Sequence, residues 1–356
     1  MVRPTCVSVF LSGLAMCLVA TLAGVPVQAQ GKPKDLKWTH AFDLACRKLG
    51  EDKFTEKTQK FGVEAFRDDN NDLGMYISQT GCIAVTNAGF ANLNPPIKSA
   101  GPKWLTGLDL PARRAGEKTF TKETKVHSLE VFGDPNTNNW LYLTEKGNVA
   151  AVVVKGDMDA AIKKARTGAP NPPKWVHSVD LSVRKGGVRE WKDAAKFGVE
   201  VYRDGNTGNL IFISNTGSIA ITPETVTVKE TKGDAKAPDW LHGLDLSCRR
   251  HDEKAFTKET RKFGVEVFND TTTGHLIFIC ETGTITVAPA GKELKAPTVD
   301  VKEPRWTHGL NAKARAYGEK DFSDRTKVYG AEVFQDDNVG VTLYVCETGS
   351  ISAAPK

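Results

Sequence analysis

The chain has 356 residues, 40% of them hydrophobic and 8% aromatic, which is enough apolar material for a packed core. Its formal net charge of +5 falls to +4 without Arg3 and is spread among 43 acidic residues, so nothing here marks a nucleic-acid-binding protein.

The first 29 residues, "MVRPTCVSVFLSGLAMCLVATLAGVPVQA", read as a secretory signal peptide. Arg3 supplies the basic start, Val7 to Val25 the apolar stretch, and Val27-Gln28-Ala29 the small-residue cleavage site before Gln30. No second apolar run is long enough to span a bilayer, so the expectation is a secreted, periplasmic or cell-surface protein occupying 30–356. Of seven cysteines, Cys46, Cys82, Cys248, Cys280 and Cys346 lie beyond the signal. Export permits bridges Cys46–Cys82 and Cys248–Cys280 with Cys346 left over; five reduced packing thiols are the alternative. None falls in a CxxC or Cys/His zinc pattern.

Tryptophans at 38, 104, 175, 240 and 306 then open five copies of one unit, spaced by 66, 71, 65 and 66 residues. The copies span 38–85, 104–153, 175–221, 240–287 and 306–353, with Lys/Pro/Gly-rich connectors between them. The second connector, "DMDAAIKKARTGAPNPP", predicts a short helix with a proline-rich exit. Within each copy four strands are expected: the Trp-to-Arg segment, a glutamate-bearing strand, and two continuously apolar strands such as "LIFI" and "IAI". "FTKETRK" predicts one helical turn capped by Thr257, and Ser323 is placed to cap its counterpart. Strands apolar at consecutive positions are covered on both faces. Four antiparallel strands covered on both sides by their own kind make an all-β, five-bladed β-propeller. The alternative is five small β-domains on linkers, suggested by the length of the connectors. The repeat count and strand order resemble five-bladed propeller lectins, which implies glycan binding but assigns no site residue.

Five arginines (Arg47, Arg113, Arg184, Arg249, Arg315) end the first strands, and five glutamates (Glu64, Glu130, Glu200, Glu266, Glu332) sit in the second. Each pair is expected to meet across the sheet of its own copy and pin its register. The aspartate four residues after each glutamate lies about 13 Å along the same strand face. That is too far for the paired carboxylates of a glycosidase. No GxSxG, HExxH or P-loop is present, so the chain reads as non-enzymatic. Asp68, Asn70 and Asp72 form the best candidate for a weak calcium loop, against a simple Asx-turn; no other cofactor is indicated.

Trp38, Trp104, Trp175, Trp240 and Trp306, with His40, His177, His242 and His308 two residues later, are the candidate ligand-binding set. The second copy has Thr106 instead of the histidine and departs further at His127, Trp140 and Lys146. Residues i and i+2 share a strand face, and a first strand lining the axis would make these side chains a ring around the channel. The functional expectation is a secreted module binding glycan or cell-envelope material at equivalent sites, or alternatively a scaffold for protein–protein contacts at the cell surface.

Overall fold

The computed structural model describes residues 33–87, 89–167, 171–224, 228, 236–291 and 301–356. Residues 1–29, expected to form a signal peptide, lie outside the described residues. Blade 1 contains β1 (Lys37–Cys46), β2 (Gln59–Asp68), β3 (Leu73–Ser78) and β4 (Ile83–Thr86). Blade 2 contains β5 (Lys103–Ala112), β6 (Lys125–Asp134), β7 (Asn139–Thr144) and β8 (Val149–Val153), followed by helix α1 (Met158–Thr167). Blade 3 contains β9 (Lys174–Val183), β10 (Ala195–Asp204), β11 (Asn209–Ser214) and β12 (Ile219–Pro223). Blade 4 contains β13 (Asp239–Cys248), β14 (Arg261–Asp270), β15 (His275–Cys280) and β16 (Ile285–Pro289). Blade 5 contains β17 (Arg305–Ala314), β18 (Lys327–Asp336), β19 (Val341–Cys346) and β20 (Ile351–Pro355). Each blade is an antiparallel meander of four consecutive strands.

The five sheets stand radially in a ring, a five-bladed β-propeller. The last strands β4, β8, β12, β16 and β20 touch one another in turn, and β20 returns to β4. Separate domains on tethers are therefore ruled out. The same contacts reverse one expectation, because the fourth strand lines the axis and the first forms the outer rim. Taper explains this order. The inner strands are short and carry small residues such as Ala84, Ala150, Ala220 and Ala353, whereas the outer strands bear exposed polar residues such as Asp43, Asp109, Asp180 and Asp245.

No strand is exchanged to close the ring. Closure between blades 5 and 1 uses the side-chain contacts found at the other junctions: Arg315 reaches Glu64, and the hydroxyls of Ser350 and Ser352 accept from the amides of Ile83 and Val85 at 3.0 and 2.9 Å. The cores lie between blades; one joins Leu310, Ala331 and Val345's neighbour Tyr344 from blade 5 to Met75, Ile77 and Val85 of blade 1. Tight approach needs glycine at Gly62, Gly198, Gly264 and Gly330, where a Cβ would meet a backbone carbonyl of the preceding blade within 2.4 Å.

The expected helix in the second connector is α1, which buries Met158 and Ile162. The "FTKETRK" segment forms a hydrogen-bonded turn rather than a helical one, with Thr257 Oγ1 accepting from the Glu259 amide at 3.2 Å. Ser323 does the same for Arg325 at 3.3 Å.

Candidate functional site

The expected shared face of tryptophan and histidine does not form. A register shift falls between Trp38 and His40, Trp104 and Thr106, Trp240 and His242, and Trp306 and His308. The extra residue turns the strand, so the indole faces the preceding blade while the imidazole faces the next. Trp38 meets Phe322 of blade 5, and His40 meets Asp134 of blade 2. These side chains consequently serve two different junctions on the outer strand, away from the axial channel.

Each tryptophan belongs to a clamp at the rim. The arginine–glutamate pairs are real, but they join neighbouring blades instead of strands within one copy: Arg47 with Glu130, Arg113 with Glu200, Arg184 with Glu266, Arg249 with Glu332, and Arg315 with Glu64. At the blade 2/3 junction Arg113 Nε donates to Glu200 Oε1 at 2.7 Å and Nη2 to Oε2 at 2.9 Å. Trp175 Nε1 donates to the same Oε2 at 2.7 Å. All five indoles make this bond within their own blade. The remaining guanidinium nitrogen donates to a backbone carbonyl five residues on, as Arg47 does to Asp52 at 2.9 Å. Such bidentate, charge-assisted geometry satisfies a carboxylate that is almost fully buried.

An aromatic ring completes each clamp. Phe54, Phe120, Trp191, Phe256 and Phe322 stand edge-on to the next blade's tryptophan, with centroids 5.7 to 6.2 Å apart. The arginine lies against both rings; Arg184 Cζ is 4.6 Å from the Trp191 centroid and 5.7 Å from that of Trp240. Every one of these rings stands seven residues after its arginine, a spacing legible in the sequence. Trp191 is 42% exposed and Trp240 43%. Cavities adjoin the clamps, of about 430 Å³ beside Arg113 and Trp175, 250 Å³ beside Arg184 and Trp240, and 170 Å³ beside Arg249 and Glu332.

A second contact, the latch, lies further inside. His40, His177, His242 and His308 are buried and place Nε2 at 3.0, 3.0, 2.7 and 3.3 Å from Asp134, Asp270, Asp336 and Asp68 of the following blade. Tyr76, Tyr142 and Tyr344 donate to Asp134, Asp204 and Asp68 at 2.6, 3.0 and 2.6 Å. Phe212 and Phe278 replace the tyrosine where His177 and His242 are present, and Thr106 replaces the histidine where Tyr142 is present. Asp68, Asp134, Asp204 and Asp336 thus each receive a buried hydrogen bond from the preceding blade, whereas His177 stands at ion-pair distance from Asp270 without hydrogen-bond geometry. Burial alone would raise the Asp68 carboxyl, but the bonds from His308, Tyr344 and the Asn70 amide outweigh it and hold it at about 2. Asp134 and Asp270 are likewise lowered, with burial opposed by His40 and His177 respectively.

These bonds give Asp68, Asn70 and Asp72 the Asx-turn geometry that is the alternative to a calcium loop. Asp68 Oδ1 accepts from the Asn70 amide at 2.9 Å, which is an Asx-turn, and its Oδ2 faces His308 and Tyr344. Asp72 has φ of 54° and occupies the left-handed turn position that glycine holds as Gly208, Gly274 and Gly340. Among the described residues no cluster of three His, Cys, Asp or Glu side chains is placed to hold a metal. The five cysteines are free thiols, so neither Cys46–Cys82 nor Cys248–Cys280 is bridged. Cys46 and Cys248 instead point across a junction, at 3.4 and 3.2 Å from the carbonyls of Leu143 and Val345. Burial raises both thiols.

No protein-family model matches the chain, and no curated relative matches it. Solved structures that align with it include a selenomethionine-substituted virginiamycin B lyase from Staphylococcus aureus, with 12% identity over 89% of this chain and 88% of that one. A catalytically inactive virginiamycin B lyase from Staphylococcus aureus with quinupristin is 13% identical over 91% and 74%. A streptogramin B lyase is 10% identical over 90% and 88%. The TM-scores are 0.10, 0.12 and 0.11, values at which the likeness carries no inference about this chain's chemistry.

Proposed function

We propose that this protein is an exported, non-enzymatic binding module with equivalent sites on its rim, and that it recognises glycan or cell-envelope carbohydrate. The observation behind this reading is the aromatic pair that recurs at all five junctions, held edge-on beside the arginine, with at least one exposed ring at four of them and two exposed rings at the blade 3/4 and 4/5 junctions. The indole nitrogens of Trp38, Trp104, Trp175, Trp240 and Trp306 and the Nε and Nη2 of the arginines are already engaged within the clamp. What remains for a ligand is rigid aromatic surface, which suits the apolar face of a sugar ring. Beside Trp240, the flanking Lys185, Asp245, Lys302 and Glu303 supply polar groups for hydroxyls.

Tryptophan fluorescence titrated with a panel of soluble oligosaccharides tests the reading. A saturating change at several equal sites per chain is expected, and Trp191→Ala should remove the blade 3/4 site, leaving one site fewer. Trp191 makes no hydrogen bond in the clamp core, so the variant should fold and lose only about 0.5–1 kcal/mol, the worth of its exposed cation–π contact with Arg184. Fluorescence and calorimetric silence across the panel would overturn the proposal.

A further inference from the structure

A second kind of site lies at one mouth of the axial channel, where the ends of all five inner strands enclose a cavity of about 230 Å³. Its walls are apolar, formed by Val85, Ala151, Ile221, Val287 and Ala353 together with prolines at three strand ends. Alternate amides of each inner strand point away from their own sheet. At Val85 this amide donates to Ser352 Oγ at 2.9 Å, and at Ala353 to Thr286 Oγ1 at 3.0 Å, the hydroxyl coming each time from the preceding blade. The register is the same in all five blades: Tyr76↔Ala84, Tyr142↔Ala150, Phe212↔Ala220, Phe278↔Thr286 and Tyr344↔Ser352. Blades 1, 2 and 3 therefore offer only a methyl group where the other two offer a hydroxyl. Among the described residues, the amides of Ala151, Ile221 and Val287, all at residues lining the cavity, have no such hydroxyl acceptor from the preceding blade.

Converging backbone donors with apolar walls favour an anion that carries an apolar body. Among the described residues Lys155 is the one charged side chain lining this mouth, and its charge has the matching sign. An apolar cavity of roughly 150 Å³ is enough for benzene, so the space here takes a ring and a carboxylate. We infer that the axial mouth binds one small monocarboxylate with an aromatic or branched aliphatic body, independently of the rim. The carboxylate accepts from the three amides and Lys155, and the body packs on the ring of valine, isoleucine and proline.

Isothermal titration of the full chain with sodium benzoate tests this directly. One site per chain is expected, with the neutral benzyl alcohol at least tenfold weaker. Lys155→Gln should weaken benzoate severalfold. The triple variant Ala84→Ser, Ala150→Ser, Ala220→Thr should weaken it at least tenfold, because it installs the acceptors that Ser352 and Thr286 supply elsewhere. Those residues already occupy the equivalent positions, so the variant is expected to fold, and an unchanged circular dichroism melt checks that it does. Trp191→Ala should leave benzoate binding unaltered, which separates this site from the rim. Absence of saturable binding, five sites per chain, or equal affinity in the folded triple variant would each overturn the inference.

Discussion

Four junctions of the propeller share a latch histidine, an aromatic seam residue and a seam threonine, while the one between blades 2 and 3 differs at all three. Thr106 takes the place of the latch histidine, His127 the place of Phe61, Phe197, Phe263 and Tyr329, and Lys146 the place of Thr80, Thr216, Thr282 and Thr348. At the regular junctions the threonine hydroxyl donates to the next blade's glycine carbonyl, as Thr282 does to Gly349 at 3.0 Å; Lys146 reaches the carbonyl of Thr216 instead. The rim clamp of Arg113, Glu200 and Trp175 is nevertheless intact there. The difference separates what a junction requires from what it merely contains. The clamp and the Tyr142–Asp204 latch bond are retained where the latch histidine, the seam ring and the seam threonine are all replaced, and the clamp alone is present at all five junctions.

The largest effect should come from breaking a clamp. Removing one partner of a buried ion pair costs roughly 3–5 kcal/mol, because the other charge stays desolvated. Glu200→Gln and Arg184→Met should each lower the free energy of unfolding by that amount in chemical denaturation. Hydrogen exchange should accelerate at the blade 2/3 seam for the first and the blade 3/4 seam for the second. Melting curves indistinguishable from wild type would remove the clamp from its role.

Much of this was legible in the residues. The five tryptophans fix the blade count, and the doubly apolar "LIFI" and "IAI" segments announce strands covered on both faces. The pairing of Arg113 with Glu200 instead of Glu130 was not legible. A repeat places an identical arginine and glutamate in every copy, so its periodicity is the same whether partners sit within a blade or between blades. Burial does not mark the inner strand, because the second, third and fourth strands are all nearly fully buried; the alanines of the fourth strand and the exposed aspartates of the first carry the taper signal. The opposite facing of Trp38 and His40 depends on one bulged residue, Thr39, whose hydroxyl donates to the Ala65 carbonyl at 2.8 Å. A period-two pattern cannot register that extra residue.

The next effect concerns acid. Burial, reinforced by Lys146 and Lys125, pushes His127 down from 6.5 to about 4 against the opposing pull of the Asn215 backbone. Neither ring nitrogen has a hydrogen-bond partner among the described residues. The unfolded chain binds this proton from pH 6.5 downward, whereas the folded chain resists it until about 4. Stability therefore falls as pH drops through that window, by on the order of 3 kcal/mol from this residue. His127→Phe restores the side chain found in blades 1, 3 and 4. It should flatten the pH dependence between 6.5 and 4 relative to wild type, with little change above pH 7. Parallel stability–pH curves for the two proteins would show that the seam is not acid-sensitive through His127.

The smallest effect asks how much a latch aspartate needs a buried donor from the preceding blade. Asp134 receives both His40 and Tyr76, whereas Asp204 faces Thr106 and receives Tyr142 alone from the preceding blade. The same deletion should thus act unequally at the two junctions. Tyr76→Phe leaves Asp134 its histidine and should cost about 1 kcal/mol, the net worth of one hydrogen bond. Tyr142→Phe leaves Asp204 only local donors, Thr207 at 2.8 Å and the Asn206 amide at 2.9 Å, so nothing from blade 2 offsets its burial. That change should cost about 1–3 kcal/mol, the penalty for an under-satisfied buried acceptor. Phe212 and Phe278 show that the fold accommodates phenylalanine at this position, so any gap between the variants reports the missing donor rather than lost packing. Equal destabilisation by urea titration would mean that the local turn bonds already suffice and that the histidine and tyrosine are interchangeable with apolar packing.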